Sequence, residues 1–490
     1  MKVLLINPRT TGYSRSVTTP LGLLSIASCL KRAGHDVLLY DRTVKNTKLR
    51  DVLSSFSPDI AGISLISFKS IKDAIRLSDA CAARGFPVVW GGPLASELFE
   101  AVLKIGSVTA VSIGEGEYTW IDIADALQRG PVDFSAIPGM AYRSEAGEAM
   151  RSPERPFVDL ASLADIDWSL VRIEDYFQSS YECSHMLYLY AAKGCPHNCA
   201  FCYNKDFHKC RYRKRPMETL LREIRYLVTE HGMDGIYFAD ELWCRNVSEK
   251  HRVCDDLKSL ALPFVWGCQT HIGIFSEEDF RYMYDAGCRW IFFGVESGSE
   301  RMIGKMNKHI DLSLAPQTFR NCKKAGITAI AAFIVGFPGE TEDDLRQTVA
   351  LIEQLDTSFV NLNYFAMVPG SDIYKEMTEK HLFPPYDDLY PIIKQSPIER
   401  LEYNYSAVRA EDLHVVRAHY MWKSFIAPNL SGSGGRFSFA GKVISDAFKS
   451  LTGGSFFDFV LSVLFSGWEF LQIFYYSHSH RGIRKKYGIK

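Results

Sequence analysis

The run Lys193-Gly194-Cys195-Pro196-His197-Asn198-Cys199-Ala200-Phe201-Cys202-Tyr203-Asn204 holds Cys195, Cys199 and Cys202 at C-x3-C-x2-C spacing. A loop of that length can close all three sulfurs on one metal centre. Three thiolates make a soft donor set, suited to an iron–sulfur cluster or to zinc. A structural zinc site wants four closed ligands, and Cys210 or His208 offers a fourth. An iron–sulfur site with three cysteines differs, because one iron of a four-iron cluster then has no protein ligand and can bind a substrate or cofactor directly.

The elements around this loop repeat a strand–helix pattern. Strands are expected near 186–191, 235–239, 264–267, 290–294, 328–335 and 359–364, with helices near 216–230, 248–260, 277–285, 312–325 and 342–355. These strands fall short of the eight of a closed barrel. Polar groups sit at the expected strand ends: the cysteine loop, Asp240-Glu241, Gln269-Thr270-His271, Glu296-Ser297-Gly298, Gly336-Phe337-Pro338-Gly339-Glu340 and Met367-Val368-Pro369-Gly370. Any one of these acids can be a helix N-cap or a first-turn acid, the better reading for Glu340 and Thr341. Taken together they line the carboxyl end of a sheet, where such folds bind ligands.

Residues 1–145 show a second alternation, with strands near 3–7, 36–41, 60–66, 87–90 and 110–113 and helices near 20–34, 48–56, 70–85, 96–105 and 118–129. Short apolar strands between helices imply a parallel, doubly wound sheet. The loops after those strands carry Asn7-Pro8-Arg9, Ser64, Ser67-Phe68-Lys69, Gly91-Gly92-Pro93 and Gly114-Glu115-Gly116-Glu117. Glycines at such positions let a large ligand approach the backbone. No G-x-G-x-x-G follows the first strand, which argues against a nicotinamide site.

The cysteine spacing, with aromatic Phe201 before the last cysteine, resembles the signature of radical S-adenosylmethionine enzymes. The upstream loops, with Pro20-Leu21-Gly22, resemble the cobalamin-binding domain found before the cluster domain in one branch of that family. The resemblance covers roughly residues 1–400. It implies an α/β protein: a doubly wound, Rossmann-like cobalamin-binding domain (1–145), a linker (146–185), a six-stranded (β/α)6 partial TIM barrel (186–400) and a helical C-terminal region (401–490). It implies a 4Fe-4S cluster on Cys195, Cys199 and Cys202. S-adenosylmethionine would lie among Phe201, Asp240, Glu241, Gln269, Glu296, Ser297 and Gly336. Asp240 or Glu241 is expected near the methionine amino group, Glu296 and Ser297 near ribose or carboxylate, and the turn 336–339 against adenine. Cobalamin would lie among Asn7, Ser64, Ser67, Gly91, Gly92, Gly114, Glu115, Gly116 and Glu117. In this family, electron transfer from the cluster cleaves the sulfonium and releases a deoxyadenosyl radical. Many cobalamin proteins carry D-x-H-x-x-G after the first strand, and none occurs here, so the lower face of cobalt is expected to lack a protein histidine.

The chain has 490 residues and a formal net charge of −1, which gives no global pull toward nucleic acid. The basic run 209–215 is expected to cap the barrel mouth or meet an anionic group, and His197 to face solvent. Twelve cysteines without disulfide-type spacing suggest a reducing compartment, and Cys29, Cys81, Cys254, Cys288 and Cys322 fit buried small hydrophobes. The short apolar run 3–6 reads as a strand and not as a signal-peptide core. Residues 456–476 form an apolar helical pattern with a narrow polar stripe of Asp458, Ser462, Ser466, Glu469 and Gln472, followed by Arg481, Arg484, Lys485, Lys486 and Lys490. That composition suits a helix laid on a membrane surface, or one docked on the barrel or in a dimer interface.

The expectation is therefore a cytoplasmic enzyme, peripheral to the inner face of the membrane if that helix meets lipid. It would methylate an unactivated carbon of a small-molecule or lipid-like substrate and draw electrons from a donor such as flavodoxin or ferredoxin. The alternatives are an oxidative ring-forming enzyme like the anaerobic magnesium-protoporphyrin monomethyl ester cyclase, a cobalamin-binding sensor and a zinc-stapled scaffold.

Overall fold

The computed structural model describes residues 1–10, 17–44, 47–180, 182–357, 359–389, 404–426 and 473–489. Its compact units are residues 1–178 with 201–227 and 367–396, and residues 179–200 with 228–366 and 397–490.

The first unit is built on β1 (Lys2–Asn7), β2 (Asp36–Asp41), β3 (Ile60–Ser64), β4 (Val88–Gly91), β5 (Ala110–Ser112), β6 (Met140–Arg143) and β7 (Ala149–Arg151), in the spatial order β2-β1-β3-β4-β5-β6-β7. Strands β1 to β5 run parallel. The short, fully apolar runs in β1 and β4 are buried on both faces, as helices on both sides of a parallel sheet require. The order reverses between β1 and β3, so the ligand crevice belongs at the carboxyl ends of those strands. The sheet then gains an antiparallel edge, with β6 on β5 and β7 on β6. The sequence reading missed that hairpin, whose turn closes through the Gly147 N–H on the Ser144 carbonyl at 2.9 Å. It places Ala149–Arg151 in a strand where a linker was expected. The helix expected over 96–105 divides into Pro93–Glu97 and Phe99–Leu103.

The second unit carries β8 (Met186–Leu189). Two short strands follow in chain order, β9 (Ala192–Lys193) and β10 (Arg213–Lys214), the latter in the first unit. The remaining strands are β11 (Gly235–Phe238), β12 (Val265–Thr270), β13 (Cys288–Glu296), β14 (Thr328–Val335) and β15 (Phe359–Tyr364). The large sheet is all parallel in the order β15-β14-β13-β12-β11-β8, and its edge strands β8 and β15 do not pair, which is the open six-stranded arc expected. Local chemistry fixes the helix starts. Ser276 and Thr341 each close a reciprocal capping box, with Asp279 and Asp344 respectively. Two strand glycines are steric necessities. A Cβ on Gly267 would lie 2.0 Å from the Trp290 indole nitrogen, and one on Gly235 would lie 2.3 Å from the Cys183 sulfur. Residues Ala410–Met421 are helical, and the Ser424 hydroxyl beyond them accepts the Val360 N–H of β15 at 3.0 Å. Cys29, Cys81, Cys254, Cys288 and Cys322 are all fully buried, as expected of small hydrophobes.

Candidate active site

The cysteine loop leaves the carboxyl end of β8 and is pinned by backbone groups. The Ala191 and Ala192 N–H groups both donate to the Asp240 carboxylate, at 2.8 and 3.0 Å, and the Gly194 N–H donates to Glu241 at 2.9 Å. Gly194 takes a left-handed φ of +80°, a turn that favours glycine. Farther along, the Ala200 N–H donates to the Met306 carbonyl at 2.8 Å and the Asn307 amide donates to the Asn198 carbonyl at 3.0 Å. Cys195 is buried, Cys199 and Cys202 are half-buried, and the Asn204 N–H donates to the Cys202 sulfur at 3.5 Å. Phe201 is half-buried.

The structure gives several of the expected contact residues partners within the protein. Asp240 or Glu241 is expected near the methionine amino group; both carboxylates hold the backbone entering the cysteine loop, and Asp240 is 1% exposed. Ser297 was assigned to ribose or carboxylate, yet it is fully buried, within 3.1 Å of the Thr348 hydroxyl, and accepts the Ser299 N–H. Glu296 takes the Lys308 ammonium at 2.6 Å. Gly336 donates to Glu340 at 2.6 Å, closing the 336–340 turn on itself. Gln269 is engaged with the Asp240 carbonyl, while its own carbonyl takes the Trp243 N–H at 3.1 Å. His197 was expected to face solvent; it is half-buried and stacks on His271 with ring centroids 4.2 Å apart.

The electrostatics follow from burial. Burial pushes the Cys195 thiol up to about 11, and it pulls His271 down to about 3 with help from Lys308 and His197. Burial also pulls the Lys308 ammonium down, and the facing Glu296, Cys199 and Cys195 more than offset it, so its proton is held more tightly than usual. A charged ammonium thus stands with the cysteine thiols, and it would suit them once they bind a metal group as thiolates. Sequence reasoning missed Lys308; its only signal was a lysine twelve residues beyond Glu296. Cys195, His197 and His271 bring their ligand atoms within 4.8 Å of one another, a set that also suits a single zinc-like ion. The sequence reading had looked to Cys210 or His208 for that purpose. His208 is buried edge-on against Phe207, and Cys210 has a left-handed backbone.

At the carboxyl end of the first unit's sheet, Asn7 ends β1, Ser64 and Gly91 end β3 and β4, and Gly114 follows β5 with φ +75° and open space where a Cβ would stand. Ile66, beside Ser64, is 67% exposed. In a doubly wound sheet these carboxyl strand ends are where a ligand binds, and an exposed apolar side chain there suits a flat, partly apolar group. The other expected contact residues also have partners within the protein. Ser67 accepts the Lys69 N–H and caps a short 3-10 turn. Gly92 packs where a Cβ would lie 2.9 Å from the Leu65 carbonyl. Gly116 lies against Ile26, and Glu117 accepts the Ser25 hydroxyl at 2.8 Å. Glu115 takes both guanidinium nitrogens of Arg213, at 2.9 and 2.6 Å, and Arg213 stacks over Phe157 at 4.4 Å. The basic run is thus largely paired internally, since Arg215 also meets Glu223 at 2.7 Å.

One buried acid makes a pH test. Burial pushes Glu340 up to about 8, the Gly336 N–H opposing and Asp344 adding to the rise. A carboxyl whose folded value is raised contributes stability below its unfolded value, and that contribution is lost as pH rises from about 4.5 to about 8. Glu340→Gln keeps an acceptor for Gly336 and should flatten the fall in urea midpoint across that window. An unchanged slope would show that Glu340 is not its source.

The Radical SAM superfamily description matches residues 189–352, and the B12 binding domain description matches residues 10–124. An uncharacterized methyltransferase of Pyrococcus horikoshii is 27% identical over 410 residues, covering 80% of this chain and 88% of that protein. The anaerobic magnesium-protoporphyrin IX monomethyl ester cyclase of Rubrivivax gelatinosus is 25% identical, covering 82% of this chain and 75% of that one. In fold, the chain is similar to the radical S-adenosylmethionine methyltransferase TsrM from Kitasatospora setae, solved with cobalamin and a 4Fe-4S cluster bound. The TM-score is 0.65 at 19% identity, covering 77% of this chain and 75% of that one.

Proposed function

The chain belongs to the radical S-adenosylmethionine enzymes that carry a B12 binding domain, and from that premise we propose that it methylates an unactivated carbon of a small-molecule or lipid-like substrate. The observation that carries the reading is the pair of domains on one chain, with a pinned three-cysteine loop in the second. When bound, the cluster and S-adenosylmethionine supply one-electron chemistry at an unactivated C–H bond, and the corrin supplies the methyl group. The protein's own residues do the rest. Cys195, Cys199 and Cys202 hold the metal group. Asp240, Glu241 and the 306–307 segment fix their loop. Gln269, Glu296 with Lys308, and the 336–340 turn line the carboxyl end of the barrel sheet beside it. Asn7, Ser64, Gly91, Gly114 and Ile66 form the corrin crevice. In this reading residues 1–145 bind cobalamin, 146–185 link, 186–400 carry the radical chemistry and 401–490 extend it, with electrons from a flavodoxin- or ferredoxin-like donor. The test is mass spectrometry of anaerobic extracts from cells with and without the gene. A metabolite heavier by one methyl group, labelled from the S-adenosylmethionine methyl, supports the proposal. A metabolite that loses hydrogens on ring closure and takes no label would favour the cyclase-type reaction, the second reading that the Rubrivivax relative suggests.

The missing histidine motif gives a spectroscopic expectation. The full protein loaded with cob(II)alamin should show no nitrogen superhyperfine coupling from a protein ligand, and coupling that survives replacement of the corrin's own base would contradict it.

The membrane expectation falls partly outside the description, because residues 456–472 lie outside the described residues. No helix among the described residues is long and apolar enough to cross a membrane. Beyond them, Phe474 and Tyr475 are 45% and 57% exposed and precede the basic helix Arg481–Lys486. Aromatic side chains beside cations suit an anionic lipid surface. Full-length protein should sediment with anionic vesicles and not neutral ones, and salt should release it. Failure to bind anionic vesicles assigns the segment to protein contacts instead.

A further inference from the structure

Glu115 stands in the loop that leaves the carboxyl end of β5, next to Gly114, yet the groups that hold it come from far along the chain. Its carboxylate takes both terminal nitrogens of Arg213, at 2.9 and 2.6 Å, a forked contact that a guanidinium can make and an ammonium cannot. The same carboxylate accepts the Val158 N–H at 3.0 Å, and the Val158 carbonyl accepts from Arg213 at 3.1 Å. Phe157 covers the guanidinium at 4.4 Å. The Glu115 and Arg213 side chains are 6% and 18% exposed, so this is not a surface pair of the kind that contributes little. Three stretches of chain close on one point: the loop after β5, the 157–158 segment and the basic run that follows the cysteine motif.

The held loop is also braced to its neighbour. The Gly114 N–H donates to the Ser96 hydroxyl oxygen at 3.0 Å, and that hydroxyl donates to the Gly92 carbonyl at 2.9 Å. Fixing Glu115 therefore fixes the turns after β4 and β5 together, at the ligand end of the sheet. Connecting loops are the mobile parts of such a fold unless they are tied. A loop ordered before the ligand arrives loses less entropy on binding, and affinity rises accordingly.

We propose that Arg213 is a positioning residue for the corrin. From outside residues 1–145 it preorganises the strand-end loops that receive the cofactor, acting through Glu115 with Val158 and Phe157 around it. The proposal rests on the reading that residues 1–145 bind cobalamin. In it Glu115 serves the corrin through the loop it anchors.

The experiment is an absorbance titration of the full-length chain with hydroxocobalamin, read beside iron content and the urea midpoint. The set is wild type, Arg213→Lys, Arg213→Ala, Glu115→Ala and the double alanine variant, which leaves no unpaired buried charge. Arg213→Ala is expected to bind the corrin roughly tenfold more weakly, the scale of leaving a loop and its side chains to be ordered on binding. Glu115→Ala should match it. The double variant should bind no more weakly than the worse single one, because both substitutions break one contact. Arg213→Lys keeps the charge and loses the fork, so its affinity should fall between alanine and wild type while iron content and urea midpoint stay at wild type. That variant carries the test if the alanine variants do not fold. A merely structural role would lower urea midpoint and corrin affinity together in every variant. That pattern, additive losses in the double variant, or wild-type affinity in Arg213→Lys overturns the proposal. A wild-type chain that takes up no hydroxocobalamin overturns instead the reading beneath it.

Discussion

Replacing Cys195, Cys199 and Cys202 together with alanine is expected to give a colourless protein that remains folded. The sulfurs are the metal donors, and three alanines leave no thiolate in the loop, so iron, acid-labile sulfide and the brown absorbance should fall to background. The fold should survive because the loop is not held by its sulfurs. Asp240, Glu241, Met306 and Asn307 grip backbone groups of residues 191–200, and none of those bonds uses a cysteine side chain. Far-ultraviolet circular dichroism and the urea midpoint should stay close to wild type, and reductive cleavage of S-adenosylmethionine to deoxyadenosine should cease. A triple variant that keeps the chromophore and still forms deoxyadenosine contradicts the site.

The second large effect is expected at Asp240. Its carboxylate receives two N–H groups, from Ala191 and Ala192, in a place almost closed to water. Asp240→Ala removes two charge-assisted bonds and leaves two buried donors unmatched, a loss of roughly 3–5 kcal/mol by the usual cost of breaking a buried charged contact. That is a large share of a typical domain's stability. Asp240→Asn keeps the accepting oxygen and should lose only about 1 kcal/mol. Urea unfolding separates the two. Calorimetric titration with S-adenosylmethionine then separates the structural role from the direct contact first expected: Asp240→Asn should still bind it. Wild-type stability in Asp240→Ala, with binding abolished in Asp240→Asn, would favour the ligand role over the structural one.

Much of the fold was legible because strand and helix periods are local. Strand β2 at Asp36–Asp41, β14 at Thr328–Val335, β15 at Phe359–Tyr364 and the helix Glu277–Asp285 stand where alternation and capping residues put them. The hairpin of β6 and β7 was missed because its strands are short and β7 is wholly exposed, leaving no apolar pattern to read. The cysteine loop was legible from spacing alone. Which polar strand-end groups face a ligand was not, because that depends on partners far away in sequence: Thr348 for Ser297, Arg213 for Glu115 and Lys308 for Glu296. The close packing of Gly92 against Leu65 and of Gly116 against Ile26 was not legible either, because it too depends on distant residues.

The most direct measurement is metal and corrin analysis of the full-length chain prepared and reconstituted under strict anaerobiosis. Iron and acid-labile sulfide should appear in the ratio of a four-iron cluster, with corrin retained on the same protein and zinc absent. Stoichiometric zinc with neither iron nor corrin would contradict the account, and would assign Cys195, His197 and His271 to a mononuclear site.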